Sequence, residues 1–255
     1  MSRVLTIAGM AFTETIRDKI LYSILVFALA MIGSSTILVT LSVGGEGRIV
    51  KDLGLACITL CGVFIAVFIG INLVSREIER RTIFALLSKP VRRAEFLAGK
   101  FLGLGLTLAV NLGVMAAVLM VLAWVLEDRW TPRILLAVGF SFLELLILTA
   151  MAILFSTFST PTLSAIYTLL VFVIGRLSAD LMTIAGQFGG ASLRATAVGL
   201  YYLLPNLSRF NVSDVVANDL PLDAGTLTLT AIYGGLYAAA VLAVAVAVFQ
   251  RRDFR

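Results

Sequence analysis

The sequence predicts an all-α integral membrane protein with six transmembrane helices. Its mean hydropathy is +1.04 and only 14% of its residues are charged, whereas soluble domains carry about 25% charged residues. This leaves too little polar surface to cover a globule in water. Several uncharged runs are also long enough to cross about 30 Å of hydrocarbon. We therefore expect residues 1–255 to form a single transmembrane domain.

Residues 2–19 precede the first of these runs and predict an interfacial helix. One helical face is apolar and consists of Leu5, Ala8, Phe12 and Ile16. Most polar side chains of the segment lie off this face, as in helices that lie in the plane of the membrane interface. A simple membrane anchor would show the same pattern.

Four of the six predicted spans carry no charge, and the other two contain isolated charges. The uncharged runs are residues 20–43, 53–75, 101–126 and 225–250. The charged runs are residues 134–158, which contain Glu144, and residues 163–181, which contain Arg176 and Asp180. At about 1.5 Å per helical residue, each run can cross the hydrocarbon.

The distribution of Lys and Arg predicts the orientation. Six spans place both termini on one side together with residues 76–100, and that side holds 13 of the 20 basic residues. Because basic residues near span ends stay in the cytoplasm, we expect both termini to be cytoplasmic. Residues 182–224 are then an external segment. No basic soluble module with interleaved aromatic residues is found, which argues against nucleic acid as a partner and leaves membrane lipids as the surroundings.

The residue types present argue against an enzyme. The sequence has no histidine, which excludes a Ser-His-Asp triad and deprives a transition metal of its commonest ligand. Cys57 and Cys61 share one helical face; we expect them to pack, the alternative being a metal or redox pair. Gly99 and Lys100 form the only Gly-Lys pair, but the surrounding residues do not make a phosphate-binding loop. We predict no catalytic site, metal or cofactor in this chain.

The segment 76–100 is unusually rich in charge for so apolar a protein. Residues 75–100 contain ten of its 35 charged side chains. Ile83, Leu86 and Leu87 mark one apolar face of a short helix, which Pro90 ends. An ordinary cytoplasmic loop would need only a few basic residues and no apolar stripe, so the pattern favours a docking surface for another protein.

The same segment resembles the coupling loop of ATP-binding-cassette (ABC) permeases of the type 2 exporter class. The shared pattern is R-E-x-E-x-x-T-I-x-x-L-L-S-x-P-V-x-R followed by G-K. It matches Arg76, Glu77, Glu79, Thr82, Ile83, Leu86, Leu87, Ser88, Pro90, Val91, Arg93, Gly99 and Lys100. The sequence departs from the pattern at Arg81, where such loops often carry glycine, and this alters the local turn.

The resemblance implies a permease subunit that exports a substrate across the inner membrane of a prokaryote. Two permease units, identical or paralogous, would pair above two ATPase subunits that bind ATP and Mg. The coupling helix would lie in a cleft of each ATPase, residues 2–19 would also touch it, and re-entrant helices would form within residues 182–224. The alternatives are a non-transporting subunit that passes force to an envelope complex and a secondary carrier, which would need more intramembrane acids.

Within the coupling loop, the resemblance and the residue types together suggest two roles. Charged residues would select the partner, namely Glu77, Glu79, Arg80, Arg81, Arg92 and Arg93. Apolar residues would adhere in the cleft, namely Ile83, Leu86 and Leu87. Thr82 and Pro90 belong to the same docking motif.

Glu144 is the one acidic residue well inside an otherwise apolar run. An ionised carboxylate near the bilayer centre costs about 3 kcal/mol on insertion scales, so it needs a partner. We expect Arg176 to be that partner, because the two runs are antiparallel neighbours joined by a short link. Arg176 could instead pair with Asp180, and Glu144 could be protonated or bonded to Asn111. A structural role is favoured over substrate binding. Separately, Gly99 and Gly103 form a GxxxG pattern that predicts close helix packing.

Overall fold

The computed structural model describes residues 2–39, 46–72, 92–127, 131–178, 183, 198–199, 201, 204–218, 220–221 and 223–251. Within these ranges the regular elements are helices and no strand occurs. The all-α part of the prediction is therefore confirmed for the described residues.

The helices follow one another in the order that the apolar runs predict. They are α1 (Ser2–Ile16), α2 (Lys19–Val39), α3 (Glu46–Phe64, continued by a π-helical turn at Ile65–Ile69), α4 (Arg93–Glu127), α5 (Arg133–Phe158), α6 (Pro161–Arg176), a 3-10 turn (Leu207–Phe210), α7 (Ser213–Ala217) and α8 (Ala224–Arg251).

Four helices in the described ranges are long and apolar enough to cross a membrane: Gly47–Asn72, Arg93–Leu126, Arg133–Phe158 and Ala224–Gln250. They match four of the predicted spans. The helices α2 and α6 lie at the positions of the other two predicted spans but count as shorter apolar helices, so the six-span topology stays a prediction. The helix α6 has 16 residues, or about 24 Å. The fifth predicted span was longer, but Asp180 lies outside the described residues.

The helix α4 extends well beyond its predicted span. It begins at Arg93 rather than at residue 101 and has 35 residues, which corresponds to about 52 Å against about 30 Å of hydrocarbon. A hydropathy window stops at charged residues, but the backbone hydrogen bonds of a helix continue through them. The helix α4 is therefore about 20 Å longer than the hydrocarbon layer, and its first turns carry the charged residues Arg93, Glu95 and Lys100.

The helix α5 occupies the centre of the bundle and contacts α3, α4, α6 and α8. In its membrane-crossing window 67% of the residues are buried, close to the 72% in the window of α3 and far above the 28% in α8. Large apolar side chains on α8, such as Leu229 and Leu236, are exposed. In a bilayer such side chains face lipid, so α8 is peripheral and α5 is the scaffold.

The helix α1 packs against α4 through the predicted GxxxG pair. A Cβ added to Gly99 would lie 2.7 Å from Ile7 Cβ, and one added to Gly103 would lie 2.6 Å from Ala11 Cβ. Only glycine permits so close an approach of the two helices. The prediction of close packing at this motif is confirmed.

The packed face of α1 differs from the predicted apolar face. Ala8 and Ala11 are buried, but Leu5 is 64% exposed. The contact selects small side chains opposite the glycines, and the larger Leu5 is left outside. The exposed Leu5 is left to the membrane side, where the apolar face of an interfacial helix inserts, so its placement on that face stays a prediction.

Candidate functional site

The helices α5 and α6 bring together two charged side chains that lie 32 positions apart. Glu144 is in the middle of α5 and is fully buried. Arg176 is the last residue of α6. The two helices are joined by Ser159 and Thr160, and Pro161 begins α6, where its missing N–H costs nothing. This short link makes the helices antiparallel neighbours.

The two side chains form the expected ion pair. Arg176 Nη1 donates to Glu144 Oε1 at 2.9 Å and to Glu144 Oε2 at 2.8 Å. The side chain of Arg176 is 26% exposed, whereas that of Glu144 is 0% exposed. Asn111, the alternative partner of Glu144, donates its amide to the carbonyl of Thr107 at 2.9 Å. Both carboxylate oxygens of Glu144 thus have a hydrogen-bond partner on Arg176.

The segment 204–210 packs against the same end of α6. The carbonyl oxygen of Pro205 would lie 2.7 Å from a Cβ on Gly175, so a side chain larger than hydrogen would push it away. Ser178 Oγ donates to Asn206 Oδ1 at 3.0 Å. Arg176 lies between these two contacts in sequence, so the segment covers the helix end that carries the ion pair.

Asn206 connects this segment to two other parts of the chain. Its backbone N–H donates to the hydroxyl of Tyr233 on α8 at 3.1 Å, and its amide donates to the hydroxyl of Tyr201 at 3.3 Å. Ser208 Oγ also donates to Asn206 Oδ1, at 2.6 Å. Sequence reasoning missed this role; the only local signal was the helix-breaking pair Pro205 and Asn206.

Most residues of the predicted ATPase-docking loop lie outside the described residues. These are Glu77, Glu79, Arg80, Arg81, Thr82, Ile83, Leu86, Leu87 and Pro90, and their roles stay predictions. The described chain resumes at Arg92, whose N–H donates to the carboxylate of Glu95 at 3.1 Å. An acid at this position caps the first turn of a helix, so α4 begins directly after the loop.

Arg93 binds the end of α8. Its Nη1 donates to the carbonyls of Phe249 at 2.8 Å and Gln250 at 3.2 Å, and its guanidinium lies 5.7 Å from the centre of the Phe249 ring. A cation at this place also complements the negative end of the helix dipole. The sequence suggested that Arg93 selects the ATPase; the structure gives it a partner within the chain.

Lys100 connects α4 to α1. It is 4% exposed, and its Nζ lies 3.5 Å from the carboxylate of Glu14 and 5.7 Å from the centre of the Phe96 ring. Together with Arg93 and the Gly99–Gly103 contact, this joins α1, the start of α4 and the end of α8. We call this group of contacts the α4 platform. Sequence reasoning did not predict the Lys100 and Arg93 contacts.

A comparison of the sequence with known protein families identifies the family of this chain. The family model described as "ABC-2 family transporter protein" matches residues 5–254. No curated protein matches the chain. Proteins of this family are multi-pass membrane permeases that associate with ABC ATPase subunits. The chain therefore belongs to the ABC-2 transporter family and is a permease subunit of an ABC transporter.

Proposed function

We propose that this chain is the six-span membrane subunit of an ABC exporter in the inner membrane of a prokaryote, with both termini in the cytoplasm. Two separate ATPase subunits bind ATP and Mg and hydrolyse the nucleotide. A second permease unit, identical or paralogous, completes the passage. The coupling helix within residues 76–91 docks in a cleft of each ATPase.

The α4 platform is the observation that carries this proposal. The docking loop leads directly into α4, and the first turns of α4 hold both α1 and the end of α8. A displacement of the loop therefore moves three helices together. This is the arrangement required of a subunit that converts a push from an ATPase into a change at the membrane.

The length of α4 supports transmission to the opposite side of the bundle. It is one continuous helix from Arg93 to Glu127, and it contacts α5, which carries Glu144. A helix is stiff along its axis, whereas packed interfaces have discrete arrangements. Motion at the platform can therefore be delivered to the ion pair and to the external segment that covers it.

Coupling can be tested with Leu86→Glu and the control variant Arg92→Ala. The first places a charge in the proposed apolar cleft contact, at a cost of several kcal/mol. The second removes an exposed charge worth about 0 to 1 kcal/mol. We expect Leu86→Glu to lose co-purification of the ATPase and its stimulated hydrolysis, with the permease still inserted, and Arg92→Ala to retain both.

Two outcomes would contradict the proposal. Equal loss of ATPase binding in both variants would refute the docking-helix model. ATP hydrolysis by the purified chain alone, at the rate of the assembled complex, would refute the proposal that a separate subunit hydrolyses ATP. Proteoliposomes that hydrolyse ATP in a coupled manner but move no substrate would favour the force-transmitting subunit instead.

A further inference from the structure

We propose that the elbow between α1 and α2 binds an anionic phospholipid, with the headgroup phosphate at Arg17 and Lys19 and an acyl chain along α2. The elbow forms a pocket of about 340 Å³ whose opposite wall is the end of α3, at Ile69 and Asn72. Binding at this site does not depend on the proposed transport activity. Only the leaflet, which would be the cytoplasmic one, rests on the proposed orientation.

The charges in the pocket favour an anion. Arg17 and Lys19 are exposed and form no ion pair with any other described residue. Lys100 balances Glu14, whereas Asp18 keeps its negative charge and accepts the N–H of Ile20 at 3.0 Å. With Lys100 counted, three cations face two acids, so the formal net charge at the pocket is +1. The side chains that can donate to a ligand in this pocket are therefore the cations Arg17 and Lys19. Phosphate is the matching group, since Arg and Lys are its usual protein partners.

A second, apolar groove lies along one face of α2 and begins one helical turn after Lys19, which lines the pocket. Tyr22, Ser23, Val26, Phe27 and Ala30 line it. These positions follow Lys19 at intervals of three and four residues, so they share its helical face. Val26 is 65% exposed and Phe27 is 57% exposed. Ala30 lies 11 residues after Lys19, or about 16 Å along the helix, which is about half of a hydrocarbon core of about 30 Å.

The order of polar and apolar parts identifies the ligand as a phospholipid. The cations lie at one end, Tyr22 follows, and the apolar groove comes after it. Tyrosine is enriched at the level of the headgroups, where one end of its ring is apolar and the other polar. A soluble phosphate would need only the pocket, and a second copy of the chain would need only the groove.

The test uses the purified full chain in nanodiscs that contain phosphatidylglycerol and phosphatidylcholine in both leaflets. Bound lipid is measured by native mass spectrometry as phosphatidylglycerol is titrated. A basic residue near an anionic lipid surface contributes about 1 kcal/mol, or about fivefold in affinity. We expect Arg17→Gln and Lys19→Gln each to weaken phosphatidylglycerol binding about fivefold, and Arg17→Lys to retain it.

Matched variants elsewhere serve as controls. Arg48→Gln removes an exposed cation at the other end of the bundle and should leave binding unchanged. Ala30→Trp fills the groove and should weaken binding, whereas Val244→Trp, at a 52% exposed position of α8, should not. Each variant is required to elute from size exclusion without aggregate in the void volume.

Three results would overturn the proposal. Equal effects of Arg17→Gln and Arg48→Gln would show general attraction to charged lipid. Full competition by soluble glycerophosphoglycerol at the concentration of the lipid would show a site for phosphate alone. Unchanged lipid binding in Ala30→Trp together with a lower dimer fraction would show that a second copy occupies the groove.

Discussion

One nitrogen of Arg176 serves both carboxylate oxygens of Glu144, at 2.9 Å and 2.8 Å. Glu144 is fully buried, so water cannot replace its partner. Removing one member of a buried ion pair costs about 3 to 5 kcal/mol, because the other charge is left uncompensated. Replacing a single partner should therefore lower the stability of the protein more, per residue replaced, than replacing both.

A double-mutant cycle tests this coupling. Glu144→Gln and Arg176→Gln should each lower thermal stability in detergent by about 3 kcal/mol, and the double variant should lose clearly less than the sum of the two. Arg48→Gln is the control for loss of a positive charge. Strictly additive losses would show that the two side chains do not interact in the protein.

The contact between α1 and α4 can be tested with two glycines of one helix. Gly103→Ala places a methyl group 2.6 Å from Ala11 Cβ and should cost about 1 to 3 kcal/mol by overpacking. Gly113 has nothing within 4 Å of such a methyl, so Gly113→Ala should be neutral or stabilising by up to about 1 kcal/mol. Hydrogen exchange in α1 should rise only in the first variant. Similar exchange in both would refute the close contact.

Arg93 should stabilise the end of α8. Arg93→Ala removes charge-assisted bonds to the carbonyls of Phe249 and Gln250 and should cost about 1 to 2 kcal/mol after allowance for its partial exposure. Arg93→Lys should recover part of this loss, because a lysine keeps the charge but not the planar donor. The readout is hydrogen exchange in the last turn of α8, with Arg92→Ala as control. If hydrogen exchange in the last turn of α8 is unchanged in Arg93→Ala, then Arg93 does not stabilise the end of this helix.

The start of α8 should depend on pH through Asp223. Its carboxylate accepts bonds from the Thr226 hydroxyl and from the N–H groups of Thr226 and Gly225, and these bonds hold the pKa of Asp223 below its usual value. A lowered pKa means that the stabilisation is complete above the ordinary value of about 3.9 and is lost as the pH falls through the lowered one.

Hydrogen exchange of the Thr226 and Leu227 amides, corrected for its intrinsic pH dependence, measures this effect. The first turn of α8 should lose protection in acid. Asp223→Asn keeps a capping oxygen but cannot titrate, so its protection should not vary with pH in that range. Equal acid sensitivity in both proteins would assign the effect to another group.

Hydropathy and spacing predicted the features that depend on local composition. The apolar runs located the helices, GxxxG marked a closely packed face of α4 without naming its partner, and the depth of Glu144 led to Arg176. Each of these depends on a rule about a single segment or a pair of adjacent ones. The family resemblance rested on the residues between Arg76 and Lys100, and the family match confirms it.

The missed contacts depend on where distant segments meet. Arg93 and Phe249 lie 156 positions apart, and a charged residue at the end of a span looks the same whether it faces an ATPase or a helix end. Helical spacing in α1 marked its apolar residues but did not show that the glycines of α4 select the small side chains Ala8 and Ala11. Asn206 gave no sign of its hydroxyl partners, since most of these come from separate elements.

The π-helical turn at Ile65–Ile69 changes the directions in which the side chains of α3 point before and after the turn. Such a turn accommodates one residue more than an α-helical turn, and each residue of an α-helix corresponds to a rotation of about 100°. The side-chain directions before Ile65 and after Ile69 are therefore out of phase. Deleting Ala66 would give α3 one continuous α-helical side-chain pattern and would rotate Asn72 about the helix axis. Related sequences that lack this turn should align with the chain only through a one-residue gap there.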